Sequence, residues 1–241
     1  MYYPIWNDPT FLIFIVPALI LGLIAQAMVK GRFNKFSQVR TLRGLTGAQA
    51  AREILDSNGL GDVTIEESRG FLSDHYDPRS RTLRLSSEVA RSPSVAAVGV
   101  AAHEAGHALQ HASGYLPLQV RSAMVPAVQF GSWLGPLIIM AGILLEAAMG
   151  AFALGNTLAW FGVALFGLVA IFAFVTLPVE LDASARAKTL LYQYNIVDRR
   201  ELGGVNQVLN AAAWTYVVAA ISALLQVLRW IFILTGSRRN N

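Results

Sequence analysis

The residues able to do chemistry are concentrated in one short stretch of this chain, His103-Glu104-Ala105-Gly106-His107. Histidines four residues apart stand one turn apart on the same face of a helix, where both imidazoles can bind a single cation. The glutamate between them would lie beside that cation, placed to act as a general base. Ala102, Ala105, Gly106 and Ala108 are small and uncharged, which suits a helix packed closely beside a metal. With no cysteine in 241 residues, a thiolate metal site, a cysteine nucleophile and a disulfide scaffold are excluded, so any metal donors are nitrogen and oxygen. The plainer alternative is two histidines satisfied by polar partners near a membrane surface.

Two histidines leave one protein ligand to find, because a catalytic zinc usually takes three and keeps a position open. His111 is a poor third: three histidines on successive turns of a straight helix put the first and last about 12 Å apart at 1.5 Å per residue. A carboxylate is the better donor, and Pro178-Val179-Glu180-Leu181-Asp182 follows directly on a long apolar stretch. Glu180 is the preferred ligand, with Asp182 as the alternative. Without a metal, Glu180 would simply favour the positive end of the helix that it is expected to open, Glu180 to Tyr194.

The elements that must position these groups are those of a membrane protein. Hydrophobic residues make up 54% of the chain and charged ones only 14%, against about 45–50% and about 25% in soluble domains. The net charge of +4 comes from few charges of either sign, which excludes a basic surface built for nucleic acid. Phe11 to Val29 carries no charge and has the length of a first span. Ala123 to Leu145 and Ala151 to Leu177 read as a helical hairpin joined around Glu146 and Gly150. A fourth span runs from near Ala211 toward Leu234 and contains Arg229. Two spans separate His107 from Glu180, so both fall on the same side of the bilayer.

Twelve of the 19 basic residues (Lys30, Arg32, Lys35, Arg40, Arg43, Arg52, Arg69, Arg79, Arg81, Arg84, Arg91 and Arg121) lie between the first and second spans. Arg186, Lys188, Arg199 and Arg200 follow the third, and this bias assigns that side to the cytoplasm. The tail residues Arg238 and Arg239 argue mildly against it. Ordinary soluble patterning is confined to the stretch from Lys30 to Arg121. There Thr46 caps a helix that ends at Gly59, and Asp62–Glu66 and Arg81–Ser86 alternate as strands. Asp77-Pro78-Arg79-Ser80 forms a turn, and Ser92-Pro93 opens the helix bearing the histidines.

Three stretches resemble the YugP-type neutral zinc metallopeptidases of bacterial membranes. They are Gly70-Phe71-Leu72-Ser73-Asp74-His75-Tyr76-Asp77-Pro78 with Leu83-Arg84-Leu85-Ser86, then Ala101 through His111, and Val179-Glu180-Leu181-Asp182-Ala183-Ser184. The resemblance covers nearly the whole chain. It implies a gluzincin-like membrane protease with His103, His107 and Glu180 as ligands of one zinc ion and Glu104 as catalytic base. The chain is more distantly similar to the HtpX-type and CAAX-prenyl endopeptidases, in which an aspartate stands four residues beyond the ligand glutamate. Ser184 holds that place here, and Asp182 is the nearby aspartate.

The expected fold is therefore α+β and mainly α, with four transmembrane helices and a small zincin-like domain containing a short hairpin or sheet and the histidine helix. The expected organisation is an N-terminal anchor (1–29), the zincin-like domain (30–122), a transmembrane hairpin (123–177), a helix carrying the third ligand (178–210), and a last span with its tail (211–241). The expected activity is hydrolysis of peptide or membrane-protein substrates by zinc-activated water in a multi-pass protein of the bacterial inner membrane. A non-catalytic metal-binding scaffold or transporter is the alternative, and a site buried within the bilayer is a third possibility. The Asp74–Ser86 hairpin is the candidate edge for an extended substrate. His75, Arg121, Arg186 and Tyr216 are candidates to stabilise an oxyanion, and Asp182 and Ser184 to support the ligands. Each also has a plainer reading as a turn residue, a surface anchor or an interfacial aromatic. Gly131-Ser132-Trp133-Leu134-Gly135 reads as a helix contact within the bundle.

Overall fold

In the computed structural model the chain is mainly helical, and residues 9–70 and 73–237 are described. Trp6, Phe71, Leu72, Arg238 and Arg239 lie outside the described residues. A π-helical turn, Phe11–Ile15, leads into α1 (Val16–Ser37), followed by α2 (Gly47–Ser57). Three strands come next: β1 (Thr64–Ser68), β2 (His75–Asp77) and β3 (Thr82–Ser86). The rest is helical: α3 (Ser87–Arg91), α4 (Val95–Ala112), α5 (Leu116–Met149), α6 (Phe152–Gln193) and α7 (Arg199–Ser237). Among the described residues, four helices, beginning at Phe11, Leu116, Phe152 and Arg199, are long and apolar enough to cross a membrane.

Packing divides the chain into two compact units. The first comprises Met1–Ile24, Val120–Leu177 and Tyr216–Asn241. Its core gathers Ile139, Ala159, Val163 and Leu234. Small residues let the hairpin helices approach: a Cβ on Gly131 would meet the Leu165 carbonyl oxygen at 2.7 Å, and one on Gly142 the Gly155 oxygen at 2.5 Å. The Gly131–Gly135 contact thus lies within the hairpin. The turn between α5 and α6 is made at Gly150, whose φ of +62° suits a residue without Cβ.

The second unit comprises Ala25–Gln119 and Pro178–Thr215. Its core is built from Ala50, Ile54 and Leu55 of α2, Leu83 and Leu85 of β3, the alanine face of α4, Leu191 of α6 and Val205 of α7. Thr46 caps α2 in a reciprocal box: its side chain accepts from Gln49 N–H, and Gln49 Oε1 accepts from Thr46 N–H at 2.9 Å. The sheet has the order β1-β3-β2, with β1 parallel to β3 and β2 antiparallel to it. The hairpin expected across Asp77–Ser80 is therefore β2–β3, and β1 joins its far side as a crossover partner. β2 is left as an edge strand.

Several helix boundaries differ from the sequence expectation. α4 starts at Val95 rather than after Ser92, because Ser94 Oγ accepts from Ala97 N–H at 3.2 Å, while the Pro93 carbonyl is taken by Thr41 N–H at 2.9 Å. Glu180 opens no helix but lies well inside the 42-residue α6, which continues through Pro178. In apolar surroundings, backbone groups released by proline have no water to turn to, so continuing the helix around it costs less than breaking it. The last helix likewise begins at Arg199, ahead of the expected start near Ala211.

Candidate metal centre

α4 and α6 meet at Gly106, where a Cβ would stand 2.7 Å from the Ala183 carbonyl oxygen. Only glycine permits this approach, and it sets the histidine face of α4 against the Glu180 turn of α6. The result is a buried cluster. Ligand atoms of His103, His107 and Glu180 all lie within 4.8 Å of one another. Glu180 Oε2 is 3.1 Å from His103 Nε2 and 3.5 Å from His107 Nε2, with the Glu180 side chain 2% exposed. The two imidazoles stand edge to face, their centroids 4.8 Å apart.

The outer ring nitrogens have protein partners. His103 Nδ1 is 3.0 Å from Ser184 Oγ, one turn beyond Glu180 on α6. His107 Nδ1 is 2.9 Å from Gln110 Oε1. Gln110, fully buried, donates through Nε2 to the Val179 carbonyl and to Asp182 Oδ2, each at 2.8 Å. Arg186 Nε donates to the same Asp182 oxygen at 2.6 Å, and its guanidinium lies over the Tyr115 ring. Burial alone would push the His107 pKa down, but hydrogen bonding to Glu180 and the nearby Glu104 and Glu180 carboxylates outweigh it and raise the pKa above the usual imidazole range.

Glu104 is buried on α4, and its charge reaches Asp74 at the start of the β2 hairpin. Burial raises the Asp74 pKa and the Glu104 charge adds to the rise, against the hydrogen bonds that its carboxylate accepts from Ser86 N–H and Oγ–H. His75 lies exposed on β2 with Nδ1 at 2.9 Å from the Ser73 carbonyl. His111 is directed away to Tyr76, whose hydroxyl is 2.9 Å from its Nδ1. Arg121 and Tyr216 belong to the first unit. Asp182, Ser184 and Arg186 are thus brought to the cluster in supporting contacts, while His75 is not brought to it. Gln110 escaped the sequence reading, although its place three residues after His107 puts it on the same helical face.

The donor set fits a catalytic zinc: two imidazole nitrogens and a carboxylate oxygen, with both outer ring nitrogens held by the protein. A chain with four membrane-length helices among its described residues and such a cluster has the features of a membrane protein with a candidate metal site. It belongs, more narrowly, to the neutral zinc metallopeptidase family: residues 11–235 match the profile of the family described as "Putative neutral zinc metallopeptidase". Over 231 residues it is 43% identical to "Putative membrane protease YugP" of Bacillus subtilis (strain 168), covering 96% of this chain and 99% of the relative. No solved structure matches it significantly.

Proposed function

We propose that this protein is a zinc-dependent endopeptidase whose single metal ion is held by His103, His107 and Glu180. The convergence of three ligand atoms within 4.8 Å, in a chain of this family, carries the reading. Zinc bound there would supply Lewis acidity toward the scissile carbonyl and make water acidic enough to attack at neutral pH. The residues of the chain do the rest. Glu104 takes the proton of the attacking water and returns it to the leaving amine. Ser184 and Gln110 keep the imidazoles in orientation, and Asp182 and Arg186 support them from behind.

The free edge of β2 offers backbone groups to an extended peptide, which would add as a further strand beside α4. On this reading, its three residues and the neighbouring α4 are the zincin-like part of the second unit. The proposed substrates are peptides or membrane proteins, the setting is the bacterial inner membrane, and the excess of basic residues places the site at the cytoplasmic face. Glu104→Gln tests the mechanism. That variant should bind zinc like the wild type and cleave no model protein, whereas cleavage at the wild-type rate would overturn the role given to Glu104.

A further inference from the structure

Gln110 has donors and acceptors that can be assigned without ambiguity. Its Nε2 faces the Val179 carbonyl and Asp182 Oδ2, each at 2.8 Å. A carbonyl oxygen only accepts. Asp182 Oδ2 also receives the Arg186 Nε–H at 2.6 Å, and an arginine never gives up its proton, so that oxygen accepts as well. Both hydrogens of the Gln110 amide are thereby committed. The reversed setting of the amide would oppose its oxygen to two oxygens.

Gln110 Oε1 is consequently fixed toward His107 Nδ1 at 2.9 Å, where an acceptor demands a hydrogen on the ring nitrogen. On His103 the fixed acceptor is Glu180 Oε2, 3.1 Å from its Nε2, and the outer nitrogen meets no such acceptor. Its Nδ1 meets Ser184 Oγ at 3.0 Å, and a hydroxyl can rotate to donate or accept. We propose that Gln110 is a positioning residue that keeps a hydrogen on His107 Nδ1, so that Nε2 is the nitrogen turned to Glu180 and left for a metal, while the Ser184 hydroxyl imposes no such hydrogen on His103 Nδ1. The two histidines are then unequal: the outer nitrogen of His107 is preset as a donor and that of His103 is not. The consequence for metal affinity rests on the reading of this cluster as a zinc site; the hydrogen on His107 Nδ1 does not.

The test uses the full-length protein in lipid nanodiscs, with zinc affinity read by chelator competition and the histidine rings by nitrogen NMR before and after zinc removal. Gln110→Met, which fills the space without an amide, should weaken zinc binding by about 10–100-fold and release the His107 Nδ1–H signal. Ser184→Ala should weaken it by clearly less.

Wild-type affinity in the Gln110→Met protein would overturn the inference. So would a His107 ring without a hydrogen on Nδ1 in the unaltered, zinc-free protein, a reading that needs no variant to fold. A wild-type chain that binds no zinc would instead overturn the metal reading, and the ring spectrum would still decide the hydrogen on Nδ1.

Discussion

Gly106→Ala should damage the metal centre through packing alone. A Cβ at this position would lie 2.7 Å from the Ala183 carbonyl oxygen and 3.3 Å from Ala183 Cα, where ordinary contact begins near 3.4 Å. The neighbour is helix backbone, so the shortfall of about 0.7 Å must be met by moving α4 away from α6. Overpacking of this kind costs about 1–3 kcal/mol, against about 0.5–1 kcal/mol gained because alanine favours a helix over glycine. His103 and His107 ride on one helix and Glu180 on the other. If a misplacement of 1 Å costs about 100-fold in rate, 0.7 Å costs about 25-fold. Gly99→Ala is the internal control on the same helix, since the nearest atoms to its Cβ are side-chain atoms of Val205, at 3.3 Å and beyond, rather than backbone. Thermal melting, zinc affinity and cleavage of a model protein should be measured on both variants. If Gly106→Ala cleaves and binds zinc like Gly99→Ala, then this approach does not set the site.

Glu180→Ala should abolish tight zinc binding, whereas Asp182→Ala should weaken it only by about 10–100-fold by loosening Gln110, as chelator competition would show. Equal losses would return Asp182 to the ligand shell. Asp74 has a raised pKa in the folded chain, so its contribution to stability is full below the ordinary aspartate value of about 3.9 and is lost as pH climbs through the folded value. Melting temperatures of Asp74→Asn across pH 4 to about 7 should accordingly fall less steeply than those of the wild type. The exposed turn at Arg79–Arg81 should be cut by added trypsin in inverted membrane vesicles and protected in right-side-out ones. Cutting only in right-side-out vesicles would reverse the orientation.

Much of this architecture is legible because its signals are local. A four-residue histidine spacing states its own face, and uncharged runs state their own length. The capping box of Thr46 and Gln49 and the turn after Asp77 are equally self-contained. Even the meeting of His103, His107 and Glu180 has a sequence signature, the even number of spans between them. What stayed hidden depends on partners distant in the chain. Glu180 reads as a helix start because nothing local reveals that α6 passes through Pro178. Ser92 reads as the cap of the histidine helix, but Ser94 takes that place, because Thr41 claims the Pro93 carbonyl from 52 residues away. Gln110 looks like any polar residue near a helix end until Val179 and Asp182 supply its acceptors.

The edge strand β2 also bears on the behaviour of the protein in a crowded bilayer. An open edge that can take up an extended peptide can equally take up a neighbouring copy, the usual route to aggregation. Here the open ladder is three residues long and is followed at once by Pro78 and by Arg81 at a φ of +50°. Stacking between copies needs a longer, flatter ribbon than this. The same brevity requires any visitor to gain most of its hold beyond the strand, so brief visits that end in release are favoured over accumulation.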